Sequence, residues 1–306
     1  MKIPYYPGCT LHERARDFDM SAKESAKALG FELDEMPIWT CCGAVFPLVT
    51  DSVMEILAPV RNLSYASRMG DKVVTLCSFC YHVLKRANRV MKEDEEKREK
   101  ANLFLRADTE RRESIESFTG EDYVGQVDVL HYIEFLRDVV GYDEVARRVK
   151  EHLGDLRVAP YYGCMLLRPA KELEFDDPEQ PTIFEGLLEA MGCEVVDFPM
   201  KSECCGGFQV VNDEEIAVSC SRTVVGSALK RDADVIVTTC PLCQYNLDRK
   251  QEELAERVRG FEKIPVIYFT QLLGVALGID EKYLDFTDNY VDPRPVLAAR
   301  CAAREG

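Results

Sequence analysis

Ten of the thirteen cysteines fall into two sets with the same internal spacing. Each set has a single cysteine, then an adjacent pair followed by glycine, and then a C-x-x-C motif. Both sets leave 34 residues between the pair and the C-x-x-C, whereas the first gap is 31 residues in one set and 39 in the other. The sets are Cys9, Cys41, Cys42, Cys77 and Cys80, and Cys164, Cys204, Cys205, Cys240 and Cys243. This agreement predicts an internal duplication with one site in each repeat.

Five clustered thiolates predict a metal centre. An odd number of cysteines excludes complete disulfide pairing, and clustered cysteines in a reducing compartment more often bind metal or carry out redox chemistry. The side chains of an adjacent pair diverge, so they reach two metal atoms more easily than one. Zinc needs only four ligands, whereas five thiolates on separate strand ends suit a multinuclear iron–sulfur cluster. The pattern favours iron–sulfur and leaves zinc as the alternative.

The segments between the cysteines alternate between strand and helix patterns. Such alternation predicts parallel sheets, whose sites lie at the carboxyl ends of the strands. Each half ends in a fourth strand that enters a helix. The predicted segments are Ile3–Pro7, Met20–Leu29, Phe31–Pro37, Ser52–Met69, Lys72–Leu76 and Asp128–Leu136 in the first half, and Arg157–Tyr162, Thr182–Met191, Glu194–Pro199, Asp213–Lys230, Asp234–Thr239 and Pro265–Leu273 in the second.

The chain is therefore predicted to be an α/β protein of two tandem domains, residues 1–152 and 153–306. Each would be a small, mostly parallel sheet flanked by helices, and an approximate two-fold axis would relate the two. The first contains an insertion at residues 85–122, in which 21 of 38 residues are charged. This insertion is either a solvated helical excursion or a docking surface for a partner subunit.

Composition narrows the classes of partner. The chain has 54 acidic and 38 basic residues and a formal net charge of -16, which argues against binding to nucleic acid or to anionic lipid. It contains no run of eighteen apolar residues and no secretory signal, so we expect a cytoplasmic protein without a membrane span. It also lacks a dinucleotide-binding G-x-G-x-x-G and a ferredoxin cysteine run, so electrons should come from another polypeptide.

With C-x31-CC-G-x33-C-x2-C in the first half and C-x39-CC-G-x33-C-x2-C in the second, the chain resembles the duplicated CCG cysteine-rich domain family, and within it the heterodisulfide reductase B subunits. The resemblance implies reduction of the mixed disulfide of coenzyme M and coenzyme B to two thiols. It implies a noncubane [4Fe-4S] cluster on each cysteine set, with the ten cysteines as cluster ligands and, through the clusters, as the catalytic residues. It also implies as partners an iron–sulfur C subunit and a flavin A subunit, together with a hydrogenase or formate dehydrogenase module.

Other functions stay open at this point. Relatives in the same superfamily pass electrons in lactate, glycolate and glycerol-3-phosphate oxidation, although complete ligand sets in both halves favour disulfide chemistry. A thiol:fumarate reductase subunit would be expected to carry an attached ferredoxin region, which is missing here. A zinc-stabilised assembly module without catalytic activity is the alternative from another class.

A few further residues lie near the motifs. For His12 and His82 a surface role is favoured over a proton-donating one, and for His131 a role at a cluster is the less favoured hypothesis. Cys193 and Cys220 are predicted to be core residues, and Cys301 has no counterpart. The sulfonate and phosphate of the substrate need cationic partners. The candidates are Arg14, Arg16, Arg168 and Lys201.

Overall fold

The computed structural model describes residues 1–44, 53–111, 122–151 and 153–301. As predicted, each half builds a parallel four-stranded sheet, and the strand orders are β2-β1-β3-β4 and β6-β5-β7-β8. The two sheets therefore have the same topology. The strands are β1 Lys2–Tyr5, β2 Glu32–Glu35, β3 Lys72–Thr75, β4 Asp128–His131, β5 Arg157–Tyr161, β6 Glu194–Val195, β7 Val235–Thr238 and β8 Val266–Tyr268.

Helices connect the strands on both faces of each sheet. None in the described ranges is long and apolar enough to cross a membrane. The helices are α1 Gly8–Glu13, α2 Arg16–Ala28, α3 Met54–Ala66, α4 Ser78–Glu93, α5 Glu95–Arg111, α6 Tyr132–Phe135, α7 Tyr142–Arg148, α8 Ala170–Leu173, α9 Ile183–Ala190, α10 Glu214–Leu229, α11 Pro241–Arg257, α12 Phe269–Ala276 and α13 Arg294–Cys301.

The central strands are apolar because both of their faces are covered. Every residue of β7 is buried, as are the last three of β3, and β-branched side chains dominate both strands. The start of α10 shows the local chemistry of helix initiation: the Asp213 side chain accepts hydrogen bonds from the amides of Glu215 and Ile216. Helix α11 begins with Pro241, a residue favoured in the first turn.

Some predicted boundaries were wrong. The predicted helix Met20–Leu29 begins earlier, at Arg16, and a separate short helix, α1, precedes it. Strand β6 is only two residues long, and a turn follows it in which the Phe198 carbonyl accepts from the Lys201 amide. The predicted start of the helix at Ser52 lies outside the described residues.

The charged insertion is helical where it is described. Helix α4 runs into it, and α5 packs against α3 and α4. The Asn102 side chain on α5 binds the backbone of Tyr123 through both its amide nitrogen and its oxygen, at 3.0 and 2.9 Å. These contacts fix one face of the insertion to its own domain. Residues 112–121 lie outside the described part of the chain.

The chain divides into two compact units whose bounds differ from those of the sequence repeats. One unit comprises Met1–Cys9 and Glu32–Tyr132, and the other comprises Thr10–Phe31 and Ile133–Gly306. The second unit thus contains α2, which packs on α12, and α9, which packs on α7. Helices α2 and α9 each connect the first two strands of their own repeat. Each of them thus contacts a helix that follows the last strand of the other repeat. The division at residues 152 and 153 stays a prediction about the repeats.

Candidate metal centres

Each cysteine set gathers at the carboxyl end of its sheet. In the first unit, Cys9 follows β1 and the pair Cys41–Cys42 follows β2. Cys77 directly precedes α4 after β3, and Cys80 lies in the first turn of α4. In the second unit, the corresponding cysteines follow β5, β6 and β7 in the same way. Since the strands are parallel, their carboxyl ends meet at one edge, and the cysteines are brought together there.

The thiols of each set contact one another in the same sequence. In the first set, the Sγ atoms of Cys9 and Cys41 are 3.7 Å apart and those of Cys42 and Cys80 are 3.5 Å apart. Hydrogen bonds between side chains also join Cys41 to Cys42 and Cys77 to Cys80. The five thiols therefore form a continuous chain of pairs, Cys9–Cys41–Cys42–Cys80–Cys77.

The second set repeats this arrangement. The Sγ atoms of Cys205 and Cys243 are 3.5 Å apart, as in the matching pair of the first set. Hydrogen bonds join Cys204 to both Cys164 and Cys205, and Cys240 to Cys243. No three His, Cys, Asp or Glu side chains in the described ranges are arranged to hold a single metal ion. The five thiols instead form a chain of pairwise contacts, as in the first set.

Each set has a buried side and an accessible side. The second cysteine of the pair and both cysteines of the C-x-x-C are buried in each repeat. The first cysteine of the pair is exposed in both, and the leading cysteine is exposed as Cys9 and half-buried as Cys164. A group held by five thiols would thus be anchored on its inner side and open on the side of the leading cysteine.

The first thiol of each adjacent pair has a lowered pKa. Hydrogen bonds from Cys42 and from the Gly43 amide lower the pKa of Cys41. The pKa of Cys204 is lowered in the same way, by hydrogen bonds from Cys164, Cys205 and the Gly206 amide. Since thiolates are the form that binds metal, these groups are prepared for coordination.

A tyrosine and a glycine hold the cysteine pair in each repeat. The Tyr6 hydroxyl donates to the carbonyl oxygen of Thr40, which precedes the pair, at 2.7 Å. The CC-G glycine has φ near +80° in both repeats, and its amide points at the first sulfur of the pair: Gly43 N lies 3.5 Å from Cys41 Sγ. The second repeat has the same contacts. The Tyr161 hydroxyl donates to the backbone carbonyl oxygen of Glu203 at 2.7 Å, and Gly206 N lies 3.3 Å from Cys204 Sγ.

The motif analysis assigned no role to Tyr6 and Tyr161. Both are fully buried, and each lies close enough to four cysteines of its set to interact electrostatically with them. The signal that could have identified them is their recurrence three residues before the leading cysteine of each set. The glycine directly before the leading cysteine leaves space for an inner thiol. A Cβ on Gly8 would lie 2.7 Å from Cys80 Sγ, and one on Gly163 would lie 3.2 Å from Cys243 Sγ.

The histidines are placed differently from one another. His12 is exposed beside Glu13, as predicted for a surface residue. His82 is buried and contacts Arg86, so the predicted surface position is wrong for it. His131 is fully buried, its Nε2 lies 2.8 Å from the carbonyl oxygen of Leu76, and burial lowers its pKa to about 3. His131 is therefore a neutral donor that supports the backbone just before Cys77.

Three of the four cationic candidates have hydrogen-bond partners. The Arg168 guanidinium donates to the carbonyl oxygens of Ser202 and Pro178 and pairs with Glu179. The Lys201 ammonium binds Glu185 at 2.7 Å. These two side chains secure the loop before Cys204. Of the other two, the Arg16 side chain donates to the carbonyl of His12, and Arg14 is exposed.

The remaining cysteines lie outside the two sets. Cys193 is buried, as predicted, and burial raises its pKa to about 12. Cys220 is only half-buried, and its Sγ would lie 3.3 Å from a Cβ on Gly206, so it borders the second centre instead of lying in a core. Cys301 ends α13, and its side chain lies outside the described part of the chain.

Sequence comparison assigns the family. The CCG cysteine-rich domain matches the chain twice, at residues 3–85 and 158–248. The chain is 35% identical over 291 residues to the 8-methylmenaquinol:fumarate reductase membrane anchor subunit of Wolinella succinogenes, covering 95% of this chain and 97% of that one. It is 32% identical to the B subunit of the ferredoxin/F(420)H(2)-dependent CoB-CoM heterodisulfide reductase of Methanosarcina acetivorans, covering 97% and 96%.

Structural comparison supports the fold. A hypothetical protein from Helicobacter pylori superposes with a TM-score of 0.71 at 11% identity, over 94% of this chain and 51% of that one. At that identity the match concerns the fold alone. The profile of the domain and the two full-length relatives agree with the duplicated cysteine geometry. The chain belongs to the CCG cysteine-rich domain family, carries the domain twice, and has heterodisulfide reductase B subunits among its relatives.

Proposed function

We propose that the chain is an iron–sulfur subunit that binds one noncubane [4Fe-4S] cluster on each cysteine set and reduces the mixed disulfide of coenzyme M and coenzyme B. The observation that carries the proposal is the pair of complete five-thiol sets with the same order of contacts. The names of relatives that match the whole chain at 32% and 31% identity support the substrate. Zinc sites would need only four of the five thiols.

The fit between the residues and the cluster rests on three features. Five thiols supply the donors, Gly8 and Gly163 leave room beside the inner thiols, and the first thiol of each pair has a lowered pKa. When bound, iron–sulfur clusters transfer electrons one at a time, so two of them match the two electrons that a disulfide takes up. The inner thiols of both sets are buried, whereas Cys9, Cys41 and Cys204 are exposed, so a small disulfide can approach from their side.

Electrons are proposed to come from partner polypeptides, namely an iron–sulfur C subunit and a flavin A subunit. The composition supports this, since the chain has no dinucleotide-binding motif and no ferredoxin run. Relatives named as subunits of reductase complexes support it as well. The further link to a hydrogenase or formate dehydrogenase belongs to the same proposal.

A second candidate is an iron–sulfur subunit of a fumarate reductase complex that takes electrons from a quinol. The observation that favours it is the match at 35% identity over nearly the full length of both chains to a subunit of such a complex. In this case the same cysteine sets would bind clusters, but a hydroquinone and not a disulfide would react at their accessible side. The two candidates differ in substrate and in the direction of electron flow.

Anaerobic purification followed by iron, sulfide and zinc analysis tests cluster binding. We expect about eight irons per chain, four in each of two clusters, and about two zinc ions with negligible sulfide would contradict the proposal. Substitution of both Cys41 and Cys42 by serine should remove half of the iron. The matched control is Cys193→Ser, a buried cysteine outside both sets, which should keep all of it.

The loaded protein then distinguishes the two substrates. With a reduced viologen as electron donor, we expect turnover of the coenzyme M–coenzyme B disulfide into two free thiols. The complementary assay supplies a menaquinol analogue and follows its oxidation with an artificial acceptor. Disulfide reduction without quinol oxidation supports the first candidate, and the reverse result supports the second.

A further inference from the structure

A row of three side chains crosses the carboxyl edge of each sheet. In the second sheet, Tyr161 pairs with Thr238, and Thr238 pairs with Tyr268. In the first, Thr75 pairs with His131, and the pairing of the preceding residues Tyr5 and Val74 sets Tyr6 beside Thr75. Neighbours that pair in a parallel sheet project to the same face. The threonine therefore stands between two aromatic side chains in both repeats.

Within the part of the chain that the structure describes, the threonine hydroxyls in these rows have no hydrogen-bond partner. Thr75 and Thr238 are both 0% exposed, and neither Oγ1 is bonded within the described residues. Their neighbours Tyr6, His131 and Tyr161 all have partners at 2.7–2.8 Å. An unsatisfied buried hydroxyl costs about 1–3 kcal/mol. The same cost at the same position in both repeats indicates that a group absent from the chain itself accepts the bond.

The pleat places both hydroxyls on the side of the cysteines. Thr75 lies two residues before Cys77, and Thr238 lies two residues before Cys240. Both cysteines have extended backbone, with φ and ψ of −80° and 120° and of −127° and 121°. In an extended chain, residues two apart project to the same face. Each hydroxyl thus shares a face with a cysteine thiol and with the tyrosine ring that lies beside the set.

We propose that the hydroxyls of Thr75 and Thr238 donate hydrogen bonds to sulfur atoms of the cluster that each cysteine set holds, and that they raise its reduction potential. The inference rests on the proposed cluster binding. A donor aimed at sulfur stabilises the extra negative charge of the reduced state, and hydrogen bonds to the sulfurs are among the factors that set cluster potentials. The two threonines are positioning residues, since the thiols remain the ligands.

Valine and serine substitutions of each threonine test the proposal in the anaerobically isolated full chain. Valine keeps the shape and suits a buried strand but removes the donor, whereas serine keeps the donor. In Thr75→Val we expect reduction of the first cluster to become less favourable by about tenfold, which is about 59 mV for a one-electron couple. Redox titration followed by electron paramagnetic resonance measures this shift. The second cluster serves as the internal control, and Thr238→Val should reverse the pattern.

Each result has a defined meaning. A lowered potential in the valine variant that returns in the serine variant supports the proposal, and so does iron loss from the valine variant that serine prevents. Unchanged or raised potentials in fully loaded valine variants would overturn it, as would iron loss from the valine and serine variants alike. If the wild-type chain itself holds no iron and sulfide, the proposed function fails and this inference fails with it. A loaded wild type with unshifted variants leaves the proposed function intact.

Discussion

Single tyrosines hold the loops that carry the cysteine pairs. Tyr6 and Asn62 both donate to the Thr40 carbonyl oxygen, at 2.7 and 2.9 Å, and Tyr161 donates to Glu203 in the second repeat. The leading cysteine and the adjacent pair lie on separate connections. A bond between those connections therefore fixes the distance that a bound cluster must span.

Replacement of Tyr6 by phenylalanine should loosen the first centre alone. The loss of one buried hydrogen bond lowers the free energy of unfolding by about 1 kcal/mol. We expect iron loss from the first set and retention in the second, measured by iron analysis, and the mirror result for Tyr161→Phe. Tyr123→Phe is the matched control, since that hydroxyl bonds Asn88 at 2.6 Å on another part of the domain. Equal iron loss in the control would contradict the assigned role.

The glycine of the CC-G motif is required because its backbone is left-handed and because a Cβ would have no room. Gly206 has φ of +80°, and a Cβ on it would lie 2.8 Å from the Ala217 Cα. A left-handed conformation costs about 1–2 kcal/mol for a residue with a Cβ. Gly206→Ala should therefore destabilise the protein by at least that amount and empty the second centre.

Gly226 offers a matched control for this substitution. It lies inside α10, and nothing stands within 4 Å of a Cβ placed on it. Gly226→Ala should leave the iron content unchanged and raise the free energy of unfolding by up to about 1 kcal/mol, since alanine is the better helix former. Urea unfolding with parallel iron analysis compares the two variants. If the Gly206→Ala variant kept its stability and its full iron content, a glycine would not be needed at this turn.

From the sequence, the candidate site could be predicted only as far as the two groups of cysteines; their role as ligands stays a prediction. Two sets of five cysteines at matching spacing predict a duplicated centre, because strand ends in parallel sheets converge. The contacts of Tyr6 and Thr75 depend on strand register, which spacing does not reveal. The burial of His82 could not be predicted either, since it depends on which face of α4 packs inward.

At the scale of elements, α2 and α12 meet through a polar contact inside an apolar interface. The Phe18 ring stacks on Tyr268 at 4.2 Å, and the hydroxyls of Ser21 and Thr270 are 2.6 Å apart. Asp17 begins the same interface and accepts a hydrogen bond from the Gln271 side chain at 3.0 Å. Burial raises the pKa of Asp17 to about 7, and Asp288 and Asp285 add to the effect.

This carboxyl should make stability depend on pH. The pKa of Asp17 rises from 3.8 to about 7 in the folded state, so between these values the native protein holds a proton that the unfolded chain has released. Stability is therefore lost as pH rises through this window. Asp17→Asn removes the titration and keeps an acceptor for Gln271. Urea unfolding should show the advantage of the variant over wild type growing from about pH 4 to about pH 7. A constant difference across that range would exclude the mechanism.

The strands were easier to predict than the partners of the helices. Apolar runs before each C-x-x-C correctly predicted β3 and β7, since a strand buried on both faces must be apolar throughout. The sequence pattern predicted a helix at Met20–Leu29, which lies within and just beyond α2. It did not identify α12 as the element that packs on this helix, because amphipathic periodicity specifies burial and not the partner.

At the scale of the molecule, the compact units do not coincide with the sequence repeats. Helix α2 belongs to the first repeat by sequence, but it lies in the compact unit that contains the second sheet. In the same way, α9 of the second repeat contacts α7 of the first repeat. In this contact the Tyr142 hydroxyl donates to the Ile183 carbonyl oxygen at 2.7 Å. From these contacts we predict that the two repeats depend on each other for folding.

A chain cut between residues 152 and 153 should therefore show this dependence. Residues 1–152 alone would expose the face of α2 that buries Phe18, Ala22 and Ala26, and exposure of a phenylalanine of this kind costs about 1.5–3 kcal/mol. We expect this fragment to lack a cooperative urea transition, since α2 has lost its partner α12. Co-expression of residues 1–152 and 153–306, or cleavage of the intact protein at a protease site placed at this junction, should yield a complex that unfolds cooperatively and retains the iron of both centres. Cooperative unfolding of the isolated 1–152 fragment with its full share of iron would show instead that the first repeat folds without α12, and that α2 covers its own sheet when the second repeat is absent.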